Sequence, residues 1–294
     1  MRHDIEIYYH PEKPAPLDSL QTHVLDKDFS ERCTEEDKIY IDNFWDTEII
    51  PKSPQATSTL RGRANLIGTS SCSRSLTFEY IEYKQYLATS RTAEQEPKPL
   101  SHGIYDSMRV AAVGAALVLP DDTVLVHRRP YNATHVAGVF DCSTAGVLPV
   151  DANGVYIERG LHEKIKRELG LNPEDLATKE VTGVHSAGSP DFSGLITTVL
   201  HTPLNRQDIE KRMRPDAFPE VRYISRKELA DFVIDRYTVN DMNHDGAMTL
   251  LSSLDIGEWY DSIEILQKNG KKIVFGALNC KGFISETKHD CENI

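Results

Sequence analysis

Glu158, Glu163, Lys164, Arg167 and Glu168 are among the ionisable side chains that fall within the seventeen residues from Val155 to Leu171. Carboxylates on successive turns of a helix can present hard oxygens to a magnesium ion, which requires octahedral geometry. Such an ion would neutralise a diphosphate and orient an attacking water. An ammonium at Lys164 and a guanidinium at Arg167 would instead repel it at close range. Residues four apart are stacked neighbours on a helix, so Glu163 is expected to face Arg167 and Lys164 to face Glu168. Each exposed pair would contribute about 0.2–0.5 kcal/mol. The remaining acids that could serve a metal or a proton transfer are Glu158 and Glu220, the latter directly before the short strand expected at Val221–Ile224. Isolated glutamates are more often solvated surface residues.

Arg128 and Arg129 close an expected strand, and a guanidinium grips phosphate oxygens in a bidentate way. Alternation along the strand turns one of the two to solvent. His185, Ser186 and residues Gly188 to Asp191 read as a polar loop after a strand, with an ordinary turn as the plainer account. Asp241 to Gly246 is rich in oxygens but lacks the spacing of a calcium loop; Asn240 or Asp241 as a helix N-cap explains it better. His127, His162, His201 and His244 share no metal-ligand spacing. Gly-x-Ser-x-Gly, the P-loop and the dinucleotide fingerprint are absent from the sequence.

These residues need elements to position them. Ile157, Leu161, Ile165 and Leu169 make an apolar stripe at a spacing of four, with Gly170 as the stop of a helix. Val110–Leu119 is a nearly continuous apolar run, as in a strand covered on both faces. With a turn at Asp121-Asp122 and a return over Thr123–Arg129 it reads as a hairpin. Further strands are expected at Ile5–Tyr9, Leu60–Ile67, Ser75–Ile81, Gly183–His185, Leu195–His201 and Val221–Ile224. Ser225 with Glu228 has the pattern of a capping box for a helix to Ile234. Asp42–Asp46 reads as a turn or short helix, Tyr83–Thr89 as a short helix, and Asp245–Leu254 as another helix. Ile263–Phe275 reads as a hairpin turning at Asn269-Gly270.

The order hairpin, Gly-rich turn, helix, strands and helix resembles the Nudix hydrolase superfamily. His127-Arg128-Arg129 resembles the edge that precedes the family's box. Gly138-Val-Phe-Asp-Cys-Ser-Thr-Ala-Gly146 resembles the approach to it, and Glu168-Leu-Gly170-Leu171 its end, with Ile165 as its first aliphatic. Lys164 and Arg167 stand where the family carries ligand glutamates, the loop from Gly146 to Glu163 is three residues longer than the pattern, and its mid-loop glutamate position falls on Val155. Tyr83, Tyr86 and Thr89 are similar to a segment of an N-terminally extended subgroup that cleaves UDP-sugars. The resemblance covers roughly residues 108–235.

It implies an α/β fold, an α/β/α sandwich around a mixed sheet with an N-terminal extension packed on it. The expected division is a polar segment over 1–37, an extension with linker over 38–107, a Nudix-like domain over 108–255 and a C-terminal hairpin with polar tail over 256–294. The implied ligand is a nucleoside diphosphate linked to another moiety, with Arg128, Arg129 and Gly146 at the ligand. Hydrolysis would be impaired by the altered box. A second reading is an active magnesium-dependent hydrolase that uses Glu168, Glu158 and Glu220 and releases two monophosphates, with Glu168 as metal ligand. A third is a non-catalytic interaction module.

The 294 residues can bury a substantial core, and a formal charge of −12 argues against general nucleic-acid binding. No apolar run reaches bilayer length, and the N-terminus lacks the apolar core of a secretory signal. Five scattered cysteines, with no paired spacing, read as free thiols of the cytoplasm or nucleus. Asn132-Ala-Thr134 is then a chance glycosylation match.

Overall fold

The computed structural model describes residues 5–275 apart from 12, 53, 55–62, 71–74, 94, 96, 134–135, 152–153, 188–191 and 215–216. The loop at Gly188–Asp191, Thr134, the polar tail and Cys72, Cys280 and Cys291 lie outside the described residues.

The strands are β1 (Ile5–Tyr9), β2 (Ala15–Pro16), β3 (Gln21–Asp28), β4 (Arg63–Ser70), β5 (Ser75–Ile81), β6 (Val110–Val118), β7 (Thr123–Arg128), β8 (Phe140–Asp141), β9 (Thr144–Val147), β10 (Val150–Asp151), β11 (Gly154–Val155), β12 (Thr178–Ala187), β13 (Ser193–His201), β14 (Glu220–Ser225) and β15 (Ile273–Phe275). The helices are α1 (Glu35–Phe44), α2 (Tyr83–Thr92), α3 (His102–Ser107), α4 (Ile157–Leu169), α5 (Arg206–Arg212), α6 (Arg226–Thr238), α7 (His244–Leu251) and α8 (Ile256–Lys268).

One mixed sheet runs in the order β15-β1-β12-β13-β6-β4-β5-β3. β6 lies parallel to β13 over nine residue pairs, from Val110↔Ser193 to Val118↔His201. Its nine residues are all buried because helices cover both faces. Ala111, Val113, Ala115 and Leu117 pack with Leu161, Ile165 and Leu169 of α4. Ala112, Ala116 and Val118 turn the other way, to Met248 and Leu251 of α7 and Leu229 and Val233 of α6. Period-two alternation thus divides one strand between two cores, as a sandwich of helix, sheet and helix requires. A third core joins Ile41 of α1, Leu87 of α2 and Ile104 of α3 to Phe29, Ile81 and Phe192.

α4 has no side-chain N-cap, so its apolar stripe holds it. It ends at Gly170, with φ of 67°. A Cβ there would also strike the Arg212 carbonyl, so glycine is required twice over.

Several sequence expectations change. The hairpin at Asp121-Asp122 closes, with Leu119 N–H donating to the Thr123 carbonyl at 2.9 Å. The two strands then pair only at Val118↔Val124. β14 takes the side of β7 over six pairs, and β9 takes that of β6 over four. Ser225 makes no side-chain cap to α6, and the N-cap of α7 is Asn243 rather than Asn240 or Asp241; its Oδ1 accepts from Gly246 N–H at 2.5 Å. Ile263–Phe275 is not a hairpin. The helix α8 reaches Lys268, Gly270 with φ of 85° turns the chain, and β15 adds to β1 in parallel. Within the segment before residue 38, Asp28 with Glu31 and Thr34 with Asp37 form two capping boxes.

Cys33 and Cys142 are free and buried, and burial pushes the Cys33 thiol up to about 12 and Cys142 well above its usual value. No helix among the described residues is long and apolar enough to cross a membrane.

Candidate functional site

A cleft of about 610 Å³ opens over the ends at which β6 and β13 begin. Its floor is Val110, Ala112 and Ser193 with Ala145, Gly146 and Val147 of β9. α4 contributes Lys164, Arg167 and Glu168, and α2 contributes Tyr83 and Tyr86. Arg63 enters from the start of β4, His127 and Arg129 from the end of β7, and Asp141 from β8. Arg214 and Phe218 come from the segment after α5, and Asn243 and Asp245 from the start of α7.

Five cations therefore surround a cleft with three carboxylates, in a protein that is acidic overall. Each carboxylate is held by the protein. Asp141 is buried; its Oδ2 accepts from Arg129 Nη1 at 2.7 Å and Asn243 Nδ2 at 3.1 Å, and its Oδ1 from the Cys142 amide at 2.8 Å. Gly246 permits this approach, because a Cβ there would meet Asp141 Oδ1 at 2.7 Å. Asp245 accepts from Ser193 Oγ at 2.6 Å. Glu168 accepts from Thr144 Oγ1 and pairs with Arg167 Nη2 at 2.5 Å.

Lys164 lies inward. A Cβ on residue 146 would collide with its Nζ, so the bare backbone of Gly146 makes the amine's bed. Among the described residues nothing hydrogen-bonds or ion-pairs with Nζ. Burial lowers its pKa, and the guanidinium of Arg167 adds to this, with Glu168 opposing and Arg63 and Arg129 assisting. The expected i,i+4 pairs of α4 are thus corrected. Glu163 is reached by Arg159 at 3.6 Å, while Arg167 turns to its neighbour Glu168. The rule for isolated helices gives way to docking on β9, which draws Lys164 under the helix.

His127 borders the cleft at 5% exposure, and Phe218 abuts it edge-on with centroids 3.8 Å apart. Burial lowers its pKa to about 4, with Asp141 opposing and Arg129 assisting, so the ring is neutral at pH 7. Its Nδ1 is buried without a partner among the described residues. Arg63 stands 5.4 Å from the Tyr83 ring centroid, and Tyr83 and Tyr86 lie 6.1 Å apart. Thr89, two turns along α2 from Tyr83, is buried and donates to the Gln85 carbonyl at 2.8 Å.

The other expected site residues lie elsewhere. Arg128 points away from the cleft. It donates to Glu220 at 2.9 Å, Asp241 at 2.6 Å and the Gly138 carbonyl at 2.7 Å, and lies 4.0 Å over the Phe140 ring. Hydrogen bonds from Arg128 hold both carboxyls below their usual pKa, and Arg222 also grips Glu220 at 2.6 Å. Glu158 lines a separate groove on the outer side of α4 and pairs with Lys179, which lowers its pKa. Glu158, Glu168 and Glu220 are therefore not brought together, whereas Arg129, Gly146, Lys164, Arg167 and Glu168 are. The donor set does not fit a divalent ion: Glu168 is occupied by a hydroxyl and a guanidinium, with the Lys164 ammonium beside it. No group of three potential metal-binding His, Cys, Asp or Glu residues occurs among the described residues.

Sequence reasoning missed Arg63, Arg214 and Asp141 as partners of one site. Its only local signal was basic clustering, as in Lys211-Arg212-Met213-Arg214.

No known family profile matches the chain, and no curated protein does. Among solved structures, a protein of Deinococcus radiodurans is 16% identical, covering 49% of this chain and 82% of that one, with a TM-score of 0.37. A Nudix hydrolase from M. smegmatis is 15% identical over 54% of this chain and 86% of its own, TM-score 0.30. The Nudix domain of Shewanella oneidensis NrtR, in complex with ADP ribose, is 14% identical over 58% and 96%, TM-score 0.31.

Proposed function

We propose that the chain binds a nucleoside diphosphate linked to a second group, of nucleotide-sugar or ADP-ribose type, and that it holds the diphosphate with its own cations. The observation that carries this reading is the excess of cations in the cleft, Arg63, Arg129, Lys164, Arg167 and Arg214, within a chain of net charge −12. Guanidinium groups match phosphate oxygens in pairs, and a cleft with apolar walls strengthens the attraction. Tyr83, Tyr86 and Phe218 supply ring faces against which a base can stack.

Metal-assisted hydrolysis is impaired in this reading. An attacking water would need a carboxylate-bound ion to orient it, and Glu168 already accepts from Thr144 and Arg167. The active-hydrolase alternative requires Glu158 or Glu220 beside Glu168, and neither borders the cleft.

Calorimetry with UDP-glucose and ADP-ribose, with and without magnesium, is run beside phosphate-release kinetics. The expected result is saturable binding of the metal-free ligand without turnover. Magnesium-dependent turnover abolished by Glu168→Gln would sink the binding-only reading. Silence with every nucleotide would leave the interaction module.

A further inference from the structure

We infer that Lys164 is a reactive amine that condenses reversibly with the carbonyl of a phosphate-bearing aldehyde. Three observations converge on it, and none of them depends on the ligand being a nucleotide.

The first is place. Nζ lies against the backbone of Gly146 on the floor of the cleft, where a substituent at residue 146 would displace it. The second is its lack of engagement. Arg167 is paired with Glu168 and Arg129 with Asp141, yet no hydrogen bond or ion pair holds Nζ among the described residues. An ammonium committed to structure would be satisfied, because a half-buried charge without a partner is costly. The third is the company it keeps. Arg167, Arg63 and Arg129 crowd the amine with positive charge while burial strips its water, and both favour the neutral, nucleophilic form. The same guanidinium groups are suited to fix a phosphate. One cleft therefore offers an anion clamp and, beside it, an uncommitted primary amine.

The condensation needs no oxidant or metal. Neutral Nζ attacks the carbonyl carbon, the carbon–nitrogen bond forms, and the carbonyl electron pair moves to oxygen. One N–H proton passes to that oxygen to give the carbinolamine. The nitrogen lone pair then forms the C=N bond as the hydroxyl leaves, and the second N–H proton departs with it as water. Amine and aldehyde become imine and water, and the reverse step restores both.

Pyridoxal 5′-phosphate is the probe, because its imine absorbs in the visible. The full chain is titrated, trapped with borohydride, digested and mapped by mass. Expected are a saturable band, a label concentrated on Lys164, suppression by inorganic phosphate, and affinity at least about tenfold weaker for pyridoxal without its phosphate. Lys164→Arg keeps the charge and removes the primary amine, so phosphate should still bind while the band disappears; Lys164→Met should remove the band as well. A label spread over the surface lysines and equal in wild type and both variants overturns the inference. Nucleotide binding without this band would sink the amine and spare the nucleotide reading. The band without nucleotide binding would do the reverse.

Discussion

Arg128 and Arg129 are consecutive, yet they serve opposite regions of the molecule. Arg128, with 15% of its side chain exposed, donates to two carboxylates and a carbonyl and lies over Phe140. That region is closed, since the strongest donor is matched in place. Arg129 turns into the cleft, where it reaches Asp141, which is buried and shared with Asn243. There the cations outnumber the acids, and Lys164 is left without a partner among the described residues. The same residue type is a strut where partners are complete and a recognition group where charge is left over.

Acid should break the comparison most strongly, because it acts on the two regions in different windows. Burial lowers His10 and His127 to about 4 and His185 to about 3, from an unfolded value near 6.5. The unfolded chain binds the extra protons, so stability contributed by these neutral rings is complete above pH 6.5 and is lost as pH falls towards 4. Glu220 and Asp241 have lowered values, so their contribution persists through that window and is lost only below the usual carboxylate range. Urea midpoints between pH 7 and 4.5 should fall by the equivalent of a few kcal/mol, and replacing His127 by Gln should flatten part of that fall. A pH-independent midpoint would contradict the burial of these rings.

Arg128→Met should cost about 1–2 kcal/mol of stability, read by urea unfolding, because it removes the shared partner of Glu220 and Asp241 and leaves them only Arg222 and Arg236. The folded fraction should bind nucleotide as before; a loss of affinity would erase the distinction between the two arginines. Gly146→Ala should have the opposite signature. The added methyl pushes Nζ aside, so affinity for the anionic ligand should drop about tenfold by calorimetry, with stability changed by no more than about 0.5 kcal/mol. The smallest effect belongs to Arg167→Gln. With 57% of its side chain in water, Arg167 should contribute about 0.5 kcal/mol to ligand affinity, weakened further by salt, and nothing measurable to melting.

The sequence made some of this arrangement legible and hid the rest for physical reasons. The apolar period of Ile157 to Leu169 located α4 to the residue, and the nearly continuous apolar run of Val110–Leu119 announced a strand with two covered faces, which ends at Val118. Alternation suggested that one of Arg128 and Arg129 faces solvent, yet both are engaged, Arg128 with Glu220 and Asp241 and Arg129 with Asp141, because of how β8 and β14 pair with β7, which no local pattern reports. The pairings on α4 were misread because the i,i+4 rule describes a free helix, whereas β9 captures Lys164. Asn269-Gly270 suggested a hairpin, yet with Asp255 at the N-cap position and Trp259, Ile263 and Leu266 buried on one face, the preceding residues favour a helix. Arg63, Tyr83 and Arg214 are far apart in sequence, so only tertiary packing shows them as one wall.

The pairing of Ile5 with Ile273 has a consequence for how the chain is made. A ribosome releases β1 early, when neither of its partners exists. β12 arrives roughly 175 residues later, and β15 is among the last strands to emerge. Until then a buried-type strand must wait with both edges open, the condition that slows folding and invites chaperones. Among the described strands the first is thus fastened by the last, and that sheet edge closes only once the chain between them has been made.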